Sequence, residues 1–414
     1  MRRALAVALV TALAWCISCD APTSGGTQTT NGLAYLACQV DSIVVHNSND
    51  FGFRLLREVT AGGACSNELV SPLSISMATG LILNGARGAT RDEIAATLGY
   101  EALTDTQINQ SYRRILDVLY SADPSVELIV ANSLWCREGF AVKQSYIDVN
   151  RLYLDALVRT LDFSLPTAAD TINLWVSGET NQRINSLIPP PIDPMVVLIA
   201  LNTLYLNAPW TKTFYEVRPD SFQVDSGNVP CAMMKLKARV NCCVTDSFSA
   251  VELPYGNRQF SMLVVLPSLL SSTEQLMEDL TPEVWHRWLD LLHMDSAFVY
   301  LPAYQYSCDY DLKQVLKNLG MSLVFGGGDL SGIAPGLFVS DAMHRSFIAV
   351  DRERTEVAAA TAYIVAKGVS PTPPVVVSVD RPFLFAIMEN RTGTVLFIGR
   401  VCVPSPPPEL PQRP

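Results

Sequence analysis

Ten cysteines, four histidines and one proline-free run of small residues are the positions in this 414-residue chain that could carry chemistry. The histidines are His46, His286, His293 and His344, and none sits in a His-Glu-x-x-His metal helix. There is no Gly-x-Ser-x-Gly elbow, and Gly326-Gly327-Gly328 lacks the lysine and strand–helix setting of a nucleotide site. Among the eight cysteines after residue 30 no pair has zinc spacing, so neither a metal nor any other cofactor is expected. A serine-hydrolase triad would need His344 or His46 with some serine, and nothing specific supports one. The chain reads as a protein that is not an enzyme.

What it offers instead is a segment suited to insertion. Thr355-Glu356-Val357-Ala358-Ala359-Ala360-Thr361 begins a stretch without proline that lasts to Val369, after which Pro371, Pro373 and Pro374 follow closely. A surface loop has no reason to avoid proline. A segment that must become a central strand does, because proline cannot donate to the ladder. Thr355, Val357, Ala359, Thr361, Tyr363 and Val365 would share one face of such a strand, with Glu356 facing away. About fourteen residues at roughly 3.3 Å each would span on the order of 45 Å, the height of a whole sheet.

The elements around this segment read as helices first and strands later, an α+β pattern. Asn47 to Thr60 has apolar positions at helical spacing behind residues that can cap it. Ser71-Pro72 opens a second helix, with proline where its missing N–H costs nothing. Helices are predicted over 90–98, 104–122, 167–187, 272–293 and 309–319, the last stopped by Gly320. Strands are predicted over 126–135, 196–206, within 230–267 and 297–308, and over 375–379, 383–389 and 394–401. The apolar run 196–206 suits a strand buried on both faces. No linker splits the chain, and a net charge of −10 without a basic stripe argues against nucleic acid as a partner.

The N-terminus is not part of the fold. Arg2 and Arg3 precede an apolar run from Ala4 to Ile17, as in a secretory signal. Ser18-Cys19 resembles a bacterial lipoprotein cleavage box, with Cys16 where leucine is usual. That resemblance implies a lipid on Cys19; ordinary export with cleavage near Ser18 to Pro22 is the other reading. The organisation is then signal 1–18, tether 19–40, folded domain 41–404 and proline-rich tail 405–414. The expected location is outside the cytoplasm: extracellular, periplasmic or membrane-anchored. Eight cysteines remain after the signal and Cys19, and export permits bridges. Cys38 with Cys65, bracketing the first helix, is one pairing; Cys136, Cys308 and Cys402 also suit buried free thiols.

The stretch Thr355–Thr361, with Val339-Ser340-Asp341-Ala342-Met343-His344 before it and Arg381-Pro382-Phe383-Leu384-Phe385 after it, resembles the hinge and reactive loop of the serpins. Asn67–Ile75, Gly85–Ile94, Ile172–Val176, Leu201–Tyr205 with Trp210 and Phe214, and Leu396–Val401 fit the same family in order, over roughly residues 45 to 404. The resemblance implies an α+β serpin fold, with three β-sheets, about eight or nine helices and an exposed reactive-centre loop. It implies a monomeric inhibitor of serine proteases, with cysteine proteases as a second class, that traps the acyl-enzyme when the cut loop enters the main sheet. Counting from the hinge (Arg354 to Thr361) puts the scissile bond at Gly368-Val369, suiting elastase-like or subtilisin-like enzymes; Lys367-Gly368 would suit trypsin-like ones. His344, Asn202, Ser71 and Ser74 match the family's shutter cluster, and Trp210, Arg352 and Ala303 its breach.

The chain departs from the family at several places. Arg354 stands where glycine is usual, Val357 where alanine is, and Tyr363 is large for an inward position. Arg352 and Ala303 replace a glutamate–lysine pair together, which leaves no buried charge without its partner. Slow hinge insertion at Arg354 would make the chain a substrate, so a non-inhibitory serpin acting as a binding or substrate-like module is the alternative.

Overall fold

The computed structural model of the chain describes residues 39–352 and 373–405. The proposed scissile bond, the hinge from Arg354 to Thr361, Cys19, Cys38 and the tail beyond 405 lie outside the described residues.

The N-terminal third is helical. α1 (Gln39–Thr60) starts eight residues before the predicted helix and, after β1 (Glu68–Val70), packs on α2 (Pro72–Leu83). Ser71 caps α2, its Oγ accepting from the Ser74 N–H at 3.3 Å, and Pro72 fills the first turn. The helices approach closely because Gly52 has no side chain; a Cβ there would meet Pro72 Cγ at 2.3 Å. α3 (Gly88–Leu98) ends at Gly99 in the left-handed region (φ 73°), and α4 (Asp105–Ala122) opens with a Thr104/Gln107 capping box.

Next comes a small three-stranded sheet, ordered β3-β2-β4. It comprises β2 (Glu127–Arg137), β3 (Leu157–Leu161) and β4 (Leu198–Asn207). α5 (Gln144–Leu154) leads into β3, and α6 (Ala168–Glu179) packs Ile172 and Val176 against Trp135 and Leu201 of the sheet. α6 stops eight residues before the predicted end, where Asn181 (φ 47°) and Gln182 (φ 61°) turn left-handed. β4 pairs with β2 on one side, and its outer positions are half-buried. The expected burial on both faces holds only at the middle of the strand, where the successive residues Thr203, Leu204 and Tyr205 are buried.

The second half builds a nine-stranded sheet. Its members are β5 (Glu216–Val224), β6 (Gly227–Val244), β7 (Phe248–Tyr255), β8 (Phe260–Pro267), β9 (His293–Pro302), β12 (Val375–Ser378), β13 (Phe383–Glu389) and β14 (Thr394–Val401), with β1 on the edge. Strands β8, β13 and β14 are buried at every position, as continuous apolar runs require. The helical stretch predicted over 272–293 is two helices, α7 (Thr273–Glu278) and α8 (Pro282–Leu291), separated at the Thr281 cap and Pro282.

A third sheet has two strands, β10 (Tyr304–Asp311) and β11 (Met343–Val350), joined through α9 (Leu312–Asn318). The described residues thus form three sheets with nine α-helices.

One expected pairing is corrected. Cys65 is bridged to Cys402, with 5.7 Å between their Cα atoms, so it does not pair with Cys38 and Cys402 is not a free thiol. Strand register is the reason: Glu68 stands opposite Arg400 in the β1–β14 pair, which carries Cys65 towards Cys402. Cys136, Cys231, Cys242, Cys243 and Cys308 are free and buried.

Candidate functional site

The two small sheets face one another across a cleft. Leu204, Tyr205 and Leu206 of β4 line one wall and Phe347, Ile348 and Val350 of β11 the other. Among the described residues no ladder joins β4 to β11.

His344 sits on the β11 wall. Its Nε2 accepts the backbone N–H of Ser71 at 3.3 Å, so the neutral ring carries its proton on Nδ1. The Ser71 Oγ donates to the carbonyl of Leu396 at 2.7 Å while capping α2. Burial pushes the His344 imidazole down to about 4, partly opposed by the Asp309 carboxylate. Its ring stacks on Tyr310, its partner in the β10–β11 register, at 6.4 Å and 8°. Tyr310 was not read from the sequence; cross-strand register alone brings it there.

The rest of the expected shutter is only partly assembled. Ser74 meets Ser71 and not His344. Asn202, on β4, is not joined to His344 either. It donates to Asn132 Oδ1 on β2 at 2.8 Å, and Asn132 in turn donates to Leu154 O at 2.7 Å. The reason is the separation of β4 from β11. Asn202 Oδ1 and Oγ1 of the neighbouring Thr203 are both buried without partners.

The β11 wall is fixed from behind. Ser346 Oγ donates to Leu69 O at 2.7 Å, Tyr306 OH donates to Glu68 O at 3.1 Å, and Cys308 Sγ donates to Asn67 O at 3.4 Å. Tyr310 OH bonds the Glu68 carboxylate and accepts from Leu69 N at 3.2 Å. These residues follow Cys65, so the disulfide and the β1–β14 pairing hold this half of the cleft to the large sheet.

At the breach, Trp210 stacks on Tyr255 at 4.4 Å and meets Phe214 edge-on at 5.7 Å. Its indole reaches Asp351, the residue after β11. Ala303 is buried and bonds Ala232 O through its backbone N–H at 2.8 Å, while Arg352 is exposed. Because Tyr304 pairs with Val350, Ala303 stands opposite the exit of β11.

Between the His344 and Trp210 clusters, the turn after α6 touches both walls. Asn181 Nδ2 donates to Tyr205 OH at 3.2 Å, and the Arg183 guanidinium lies 5.2 Å from the Phe347 ring. Among the described residues no group of three or more His, Cys, Asp or Glu could hold a metal.

A sheet divided by a cleft, with polar clasps at its middle and one end, is a scaffold able to accept a further strand. The family model described as Serpin (serine protease inhibitor) matches residues 46–404. Iripin-3 of Ixodes ricinus is 32% identical over 366 residues, covering 86% of this chain and 93% of that protein. Neuroserpin of Homo sapiens is 30% identical over 374 residues, covering 86% and 90%. Among solved structures, the thermophilic serpin tengpin in its native state superposes with a TM-score of 0.78 at 24% identity, covering 87% of this chain and 94% of that one. Human thyroxine-binding globulin complexed with its hormone gives 0.79 at 24% identity, covering 88% and 100%. The chain belongs to the serpin family, a family of protease inhibitors and not of enzymes.

Proposed function

We propose that this serpin inhibits serine proteases by trapping the acyl-enzyme, using Gly368-Val369 as bait or, one residue earlier, Lys367-Gly368. A protease opens the bond and is esterified through its own nucleophile. The segment from Thr355 then enters the cleft between β4 and β11 as a new central strand and carries the protease with it before deacylation. The observation that carries this reading is the match between two features. The sequence holds a proline-free run of small residues long enough to make a strand, and among the described residues no ladder joins β4 to β11 across the cleft. An inserted strand would pair with the backbone groups along the facing edges of β4 and β11.

Arg354 and Val357 favour the second reading, a loop cut without productive insertion. Incubation with elastase, subtilisin and trypsin separates the two on reducing SDS gels. A stable adduct is expected; cleavage with no adduct would make the chain a substrate. Loop-cleaved protein is expected to melt well above the intact form, and an unchanged melting temperature would refute insertion.

We also propose that the protein is exported, as a monomer, with Cys19 as a lipid attachment point. The signal-like N-terminus supports this, and so does the Cys65–Cys402 bridge, which an oxidising compartment sustains.

A further inference from the structure

The outward face of the large sheet carries cations that the cleft does not use. Along β6, Lys235, Lys237 and Arg239 alternate with the buried Leu236, Ala238 and Val240, so the three point outward in one column. The β6–β9 register places Tyr300 beside Lys235, Phe298 beside Lys237 and Ser296 beside Arg239. Lys237 Nζ lies 5.0 Å from the Phe298 ring centroid and Lys235 Nζ 5.6 Å from that of Tyr300. Arg218 of β5 reaches the same tyrosine at 5.7 Å.

Two of these four cations are neutralised locally: Arg218 by Asp220 at 3.2 Å and Lys235 by Glu216 at 3.6 Å. Lys237 and Arg239 are exposed and pair with no described carboxylate. On a chain of net charge −10 this is a local reversal of sign. Packing Lys237 over an aromatic ring also restricts it before any partner arrives, which lowers the entropy lost on contact.

The face also lies next to the point where the loop re-enters the fold. β12 is the next strand of the sheet, with Val376 opposite Phe298 and 59% exposed. The proposed scissile bond precedes Val375 by six residues. At about 3.5 Å per residue it lies no more than ~20 Å from that strand. A protease domain is roughly 40 Å across. An enzyme that grips the bond is therefore large enough to reach the Lys237 face.

We propose that Lys237 and Arg239 form a docking surface for the attacking protease, favouring enzymes with an acidic patch beside their active site. The proposal rests on the bait reading above. It needs only that a protease attack the loop, not that it be trapped. Charges at the rim of such a contact act on the encounter rate and make it salt-dependent.

The test measures the second-order rate of loop attack, counting adduct and simple cleavage alike, with the anionic and cationic isoforms of trypsin as probes. K237E/R239E is compared with wild type and with R151E/R287E, which makes the same charge change at exposed positions elsewhere. For anionic trypsin in low salt, the K237E/R239E rate is expected to fall about tenfold. The deficit should vanish at high salt and be absent with cationic trypsin and in the control variant. Equal losses in both variants would assign the effect to net charge and overturn the proposal. Unchanged rates would overturn it too. So would heparin binding that depends on these residues while the protease rates stay the same, since the face would then serve polyanions. Cleavage without adduct in every protein would refute the trapping mechanism and leave the rate comparison decisive for this face.

Discussion

The indole N–H of Trp210 donates to the carbonyl oxygen of Asp351 at 2.9 Å, tying the segment after β4 to the end of β11. This bond crosses the cleft where the two small sheets converge, and the Tyr255 stack holds its donor in place. Trp210→Phe keeps an aromatic ring and removes the donor. Loss of the bond should lower stability by about 1 kcal/mol. Spontaneous loss of inhibitory activity on storage should also accelerate. Urea midpoints and timed activity assays check both effects; unchanged values would show that the clasp is slack.

His344 gives the stability of the native form a pH dependence of known sign. Its native imidazole stays neutral down to about 4, whereas in the unfolded chain it takes a proton below 6.5. Between those values the unfolded state binds more protons, so stability falls as pH drops through the window and levels off below it. The full difference is on the order of 3 kcal/mol. His344→Gln should flatten this part of the profile. Denaturation midpoints at several pH values between 4 and 7.5 would show it, and parallel profiles for the two proteins would count against the assignment.

The bridge between Cys65 and Cys402 closes a loop with a sequence separation of 337 residues. It also secures the segment to which His344, Ser346, Tyr306 and Tyr310 are anchored. Cys402→Ser should cost roughly 2–5 kcal/mol. Reduction of the wild type should lower the denaturation midpoint to that of the variant, because no other described pair is bridged.

Thr203 of β4 carries a second testable feature, an unpartnered buried hydroxyl. Its Oγ1 is buried and makes no hydrogen bond. Thr203→Val removes a desolvated hydroxyl and should raise native stability by about 1 kcal/mol or more. A fall in melting temperature would mean that the hydroxyl has a partner.

The arrangement of helices and strands was legible where local signals were strong. Ser71-Pro72 marks its helix through a cap and a first-turn proline, and the apolar runs of β13 and β14 can only be buried strands. Chain-order motifs pointed to His344, Asn202 and Trp210, which lie on β11, on β4 and just after β4. They did not reveal who bonds whom. Whether Asn202 meets His344 or Asn132 depends on the spacing of two sheets, a tertiary quantity with no local trace. Tyr310 and the Cys65–Cys402 pairing were hidden for the same reason, since both follow from cross-strand register. The early end of α6 turns on two left-handed non-glycine residues, which composition does not announce.

Cys65 precedes the proposed bait in sequence and Cys402 follows it. A protease that cuts at Gly368-Val369 would therefore make two polypeptides that remain one molecule. The downstream piece, which includes the buried strands β13 and β14, would stay tethered even after denaturation. Without a reductant the nicked protein would migrate as an uncut chain, and an assay looking for a liberated peptide would miss the event entirely.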